Sequence, residues 1–121
     1  MMIAAVLGLL GVAAGAFGAH GLEDRISAEQ LEWWATAARY QQIHAVALLV
    51  VGWGAGEWSR WRSLATWGFA VGMLIFSGTL YAMALGGPRI LGAVTPLGGI
   101  GLMLGWAMVI AEALTRSRRA R

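Results

Sequence analysis

The chain has no cysteine and no lysine, and charged residues make up only 12% of its 121 positions. An ordinary soluble domain carries about 25% charged residues, so water is not the main solvent here. The absence of cysteine excludes disulfides, thiol redox chemistry and thiolate-held metals. All nine basic residues are arginine, which reads as genome composition bias. The net charge is +3 and the pI 10.6, but the arginines are few and scattered except at the C-terminus. No nucleic-acid partner is therefore expected. The first long apolar segment holds no acid, and Glu112 falls at the far end of the last one. That argues against the proton exchange of small four-helix multidrug exporters, which needs an acid deep in a span. Ile75 stands where G-x-S-x-G would need its first glycine around Ser77, so the serine-hydrolase elbow is missing. Two histidines with no third ligand at metal spacing give no metal site, and no cofactor is expected. No complete catalytic set remains, and an enzyme is not expected.

What is present is apolar. Hydrophobic residues are 59% of the chain, and residues 1–19 and 63–85 carry no charge. A bilayer core needs roughly 17–25 apolar residues per helix, so both segments can span. Four such segments predict an all-α, polytopic membrane protein folded as a single four-helix transmembrane domain, a compact bundle. The spans fall near residues 3–21, 37–56, 63–85 and 96–114, with residues 115–121 as a basic cytoplasmic tail. Ala14-Gly15-Ala16 resembles a cleavage site, but no basic residue precedes the apolar run, so the first segment is expected to be retained.

Local signals set the boundaries. Ser27 with Gln30 three residues later forms a capping box that starts a helix at Ala28. Glu29, Glu32, Trp33 and Trp34 follow and suit the interface, giving a short interfacial extension before helix two. The uninterrupted apolar stretch there, Ala45 to Gly56, rises only about 18 Å against a core of about 30 Å. The span must recruit residues from Ala37 onward, which draws Arg39, Tyr40, Gln41, Gln42 and His44 to the membrane's edge. Gly86-Gly87-Pro88 ends helix three. Thr95-Pro96 starts helix four, with threonine as cap and proline at the first helical position. Counting arginines by the positive-inside rule puts both termini in the cytoplasm: Arg60, Arg62, Arg116, Arg118, Arg119 and Arg121 inside, against Arg25, Arg39 and Arg89 outside.

Two constellations stand out. Gly8, Gly11, Gly15 and Gly18 form one stripe, Gly98, Gly101 and Gly105 another, Gly68 and Gly72 a pair on helix three, and Gly52 and Gly56 a pair on helix two. Small residues so spaced let helices approach closely in lipid, within the bundle or against a partner. The second is a polar layer at the outer ends of the helices: His20, Arg39, Tyr40, Gln41, Gln42, His44, Ser77, Thr79, Tyr81 and Thr95. Tyr40 and His44 share a face with Gln41 beside them, while Arg39 and Gln42 look elsewhere. A bundle can bring His20, His44, Tyr81 and a glutamine together. Such a layer either ties helix ends by hydrogen bonds, with Arg39 snorkelling or paired to Glu32, or forms a ligand pocket or proton-linked path.

Several motifs are familiar in their order. They are Gly15-Ala16-Phe17-Gly18-Ala19-His20-Gly21-Leu22, Arg39-Tyr40-Gln41 with His44-Ala45, Phe76-Ser77-Gly78 to Tyr81, and Thr95-Pro96-Leu97-Gly98-Gly99 with Gly105-Trp106. Together they resemble the domain of unknown function 423 family, also called the YgdD or transmembrane protein 256 family, over nearly the whole chain. The resemblance implies a small four-span inner-membrane protein and no established activity. It adds weight to His20, Arg39, Tyr40, Gln41, His44, Ser77, Tyr81, Thr95 and Pro96. The expected role is a non-enzymatic accessory subunit of a larger membrane assembly; the alternative is a small permease or ligand-binding protein using the polar layer. Expected partners are the lipid bilayer, such an assembly, and anionic lipid at the C-terminal tail.

Overall fold

A computed structural model describes residues 1–54 and 56–119. Ala55, Ala120 and Arg121 lie outside the described residues, and with them the last arginine of the expected tail. Among the described residues every regular element is a helix. Helix α1 covers Met2–Phe17 and continues as a wider π turn over Gly18–Leu22; α2 covers Ala28–Trp53, α3 Arg60–Ala84 and α4 Leu91–Arg119. Three segments are long and apolar enough to cross a membrane: Met2–Leu22, Arg60–Ala84 and Leu91–Arg119. Helix α2 falls outside that set because Glu29, Glu32, Arg39, His44 and three glutamines lie along its first two thirds.

The capping box at Ser27 forms in full. Ser27 Oγ accepts from Gln30 N–H at 3.2 Å, and Ser27 N–H donates to Gln30 Oε1 at 3.0 Å. Helix α2 then runs unbroken into its apolar half. Helix α3 ends on Gly86, at a φ of 91° that favours glycine. Gly87 N–H donates to Ala82 O and Gly86 N–H to Met83 O, the crossed pair that closes a Schellman ending.

Four boundaries differ from expectation. Helix α3 starts at Arg60, three residues early, because Ser59 caps it and accepts from Arg62 N–H at 3.1 Å. Helix α4 starts at Leu91, so residues 91–94 of the expected linker are helical and Thr95 is not a cap. Leu91, Gly92 and Ala93 open the helix with bonds to the carbonyls of Pro88, Arg89 and Ile90. Pro96 therefore lies inside the helix, where it costs one backbone donor. At the other end α4 continues past Leu114 to Arg119, and Arg116, Arg118 and Arg119 of the expected tail fall in its last turn, where cations offset the helix dipole. Helix α2 stops at Trp53, so Gly56, at φ 93°, does not pair with Gly52 on one helix.

The helices stack in sequence order: α1 on α2, α2 on α3, and α3 most closely on α4. The α3–α4 seam is backbone on backbone. A Cβ added at Gly72 would lie 2.6 Å from Leu102 N, and one at Gly68 would lie 2.9 Å from the Gly105 Cα. One at Gly101 would lie 3.0 Å from the Gly72 Cα, and Gly98 abuts Phe76 N. On the other seam Gly8 faces Ala45, Gly11 and Gly15 face Gln42, and Gly18 faces the Trp34 indole. The apolar core, centred on Phe69 with Ala47, Leu48, Ala65, Met73 and Leu102, fills the half away from Trp34.

Candidate functional site

The polar residues are spent on ties between neighbouring helices. Gln41 is buried on α2. Its Nε2 donates to Leu7 O of α1 at 2.9 Å, and its Oε1 accepts from the Tyr81 hydroxyl of α3 at 2.9 Å. One side chain thus joins three helices. Gln42, one residue on, donates to Gly11 O at 2.7 Å, in the space that glycine leaves open. Ser77 donates to Ala37 O at 2.9 Å and holds α3 to α2. Thr79 and Thr95 hydroxyls lie 2.8 Å apart between α3 and α4. Two protons there serve the Ile75 and Leu91 carbonyls and the hydroxyl pair, so one O–H faces a threonine and the other a carbonyl.

His44 is buried against Phe69, and Tyr40 stacks on it at 5.8 Å. Its Nδ1 lies 2.8 Å from Tyr40 O, and its Nε2 accepts from the Trp106 indole N–H of α4 at 3.3 Å. Both bonds are satisfied only by the neutral ring with its proton on Nδ1. This reaches across α3 to join α2 and α4.

The expected layer does not gather whole. His20 sits exposed on the π turn and Arg39 is exposed on α2. Gly8 lies opposite Ala45, so along α1 His20 is about 18 Å from the level of His44, and the two histidines do not meet. Arg39 makes no ion pair with Glu32. The ion pair at this end joins Arg89 to Glu29, both exposed.

Two features escaped the sequence reading. Trp34, expected as an interface anchor, turns inward. Its indole N–H donates to Ala14 O at 2.7 Å, and its ring meets Tyr81 edge-on at 4.6 Å and Phe17 at 5.9 Å. Gly18 makes room for it: a Cβ there would lie 2.5 Å from the indole. The aromatic-glycine spacing was in the sequence, but its register was not.

The second is Arg62, counted as a loop charge yet only 6% exposed. Its guanidinium donates to Val51 O at 2.6 Å and Gly54 O at 2.8 Å, the orphan carbonyls at the end of α2. It also lies 4.6 Å over the Trp58 ring. Beside it Glu112 accepts from the Ser59 hydroxyl and from Arg116 Nε at 2.6 Å, tying α4 to the start of α3. This end of the bundle is therefore polar too, around Arg62, Ser59 and Glu112. Among the described residues no buried side-chain nitrogen or oxygen lacks a partner, and no cluster of three metal-binding side chains occurs.

Comparison with known proteins fits this frame. The model of a family described as a protein of unknown function, DUF423, matches residues 14–99. The chain is 40% identical over 116 residues to the UPF0382 membrane protein YwdK of Bacillus subtilis, covering 94% of each. It is 35% identical over 123 residues to the UPF0382 inner membrane protein YgdD of Escherichia coli K12, covering 98% of this chain and 92% of the relative. It is 40% identical over 114 residues to a UPF0382 membrane protein of Staphylococcus epidermidis, covering 94% of this chain and 93% of that one. No solved structure matches. Apolar helices and relatives named for the membrane make this a small helical membrane protein of undefined biochemical role, and the chain belongs to the DUF423 family.

Proposed function

We propose that the chain crosses the inner membrane four times, with both termini in the cytoplasm, and serves as a non-enzymatic interaction subunit of a larger membrane assembly. The observation that carries this is the use of the polar side chains. Gln41, Gln42, His44, Ser77, Tyr81, Trp34 and Arg62 each end on a neighbouring helix or on a helix terminus. They build a rigid scaffold rather than a reacting constellation. The apolar faces left outside, with Leu9 70% and Met103 65% exposed, suit lipid and a protein partner equally.

The fourth span rests on α2. It lies between α1 and α3, both long enough to cross, and is about 39 Å long itself. Its glutamines and His44 are turned against neighbours, so lipid meets Ile43, Val46 and Val50 instead. The arginine count supports the cytoplasmic termini.

Native mass spectrometry of tagged protein, extracted gently from its own membrane, tests the role. A stoichiometric larger complex is expected; a monomer or homo-oligomer alone refutes the subunit reading. A reporter after Arg121 that is active only outside the cell refutes the topology. A ligand-binding role has one observation behind it: a groove of about 450 Å³ beside α1, bordered by Glu23, Arg39 and Gln42.

A further inference from the structure

A continuous furrow runs along the bundle between α2 and α4. It opens at the Arg62 end, at a basin of about 690 Å³ lined by Trp58, Trp61, Arg60 and Arg119. It narrows past Trp61 into a mostly apolar stretch of about 240 Å³ between Val50 and Val109. It then widens to about 410 Å³ between Val46 and Trp106, where almost no polar surface is left. Neighbouring stretches share lining residues: Trp61, Glu112 and Arg116 at the first junction, Val50, Val51 and Val109 at the second. From Arg116 to Trp106 the furrow follows α4 for about 15 Å.

We infer that this furrow holds one anionic phospholipid, its phosphate in the basin and one acyl chain along α2 and α4. The charge of the basin fits that occupant. Of its two acids, Glu112 is engaged by the Ser59 hydroxyl and Arg116, and Glu57 is the other. Arg60 and Arg119 remain on the rim, and both are exposed. The Arg60 guanidinium lies 4.4 Å over the Trp61 ring, which holds it at the mouth rather than letting it sweep through solvent. Tryptophan at this level suits the depth of a phosphate, and arginine binds phosphate through paired donors. Below the phosphate the walls become valine and tryptophan, which exclude a soluble anion and fit a hydrocarbon chain. The furrow is open on its outer side along exposed Val46 and Val50, so a lipid enters sideways from the bilayer.

The site rests on the chain being embedded in the membrane, and the test separates the two. Resistance to extraction from membranes at alkaline pH reads embedding alone. The protein is then placed in nanodiscs of phosphatidylcholine with a minor share of phosphatidylglycerol, released, and weighed by native mass spectrometry. Wild type should retain one phosphatidylglycerol in preference to phosphatidylcholine. Arg60→Gln with Arg119→Gln should weaken retention about thirtyfold. Val50→Trp, which fills the furrow and leaves the arginines intact, should also release the lipid, and Val12→Trp on exposed α1 should not. Glycerol phosphate should not compete. Equal retention of the two lipids, retention unchanged in either test variant, or displacement by glycerol phosphate, which would mean a plain anion site, overturns the inference.

Discussion

The α3–α4 seam gives the sharpest stability prediction. In Gly72→Ala the new Cβ would lie 2.6 Å from Leu102 N and 2.9 Å from both Gly98 O and Gly101 C. Carbon contacts settle at about 3.5–4.0 Å, so the helices must part by about 1 Å. The obstructing atoms are backbone, and no side chain can swing away. Overpacking of this kind costs about 1–3 kcal/mol, and a gap of 0.5–1 Å forfeits about a quarter to a half of each dispersion contact along the seam. Alanine returns about 0.5–1 kcal/mol through its better helix propensity. The net expectation is a loss of about 2 kcal/mol. Gly78→Ala on the same helix is the control, because nothing lies within 4 Å of its added Cβ. It should be neutral or slightly stabilising. Both variants are compared by denaturant unfolding in detergent, followed by far-UV circular dichroism. Equal stability of the two would refute the backbone seam.

Other outcomes follow from the ties between helices. Tyr81→Phe leaves Gln41 Oε1 without its donor and should cost about 1 kcal/mol, and a double-mutant cycle with Gln41→Leu should show coupling above about 0.5 kcal/mol in the same unfolding assay. Gly18→Ala drives a Cβ into the Trp34 indole; it should lower the midpoint of unfolding in the wild-type background, and the same change should cost much less in a Trp34→Ala background, where the obstructing ring is gone. Arg62→Met strips two α2 carbonyls of a charged donor and should cost about 2 kcal/mol, and Arg62→Lys should not restore it, because an ammonium lacks the planar fork. His44→Ala should lower thermal stability in detergent; a block of solute flux with unchanged stability would instead mark His44 as part of a path.

Legibility followed locality. Ser27 with Gln30, and Gly86-Gly87-Pro88, act within one turn of backbone, so composition and spacing sufficed. The short apolar run of α2 drew Gln41 and His44 into the outer end of the expected span, because length is arithmetic, and both are buried in the fold. Partners were harder. Trp34 and Arg62 have the composition of interface and loop residues, and only the register between helices sends one to Ala14 and the other to Val51. Pro96 misled because proline at the first helical turn is a preference, and a helix begun at Leu91 tolerates the loss of one donor. The separation of His20 from His44 was within reach: the tight turn of residues 22–27 places His20 beside the start of α2, sixteen residues from His44.

Each helix rests on the one made just before it. The contacts of Gly8 with Ala45, Gly11 with Gln42 and Ala14 with Trp34 are complete in a chain that ends at Trp53, and the glycine seam adds α4 to an α3 already in place. The fold can therefore grow in the order of synthesis, hairpin upon hairpin, with the His44–Trp106 bond between α2 and α4 left to close last.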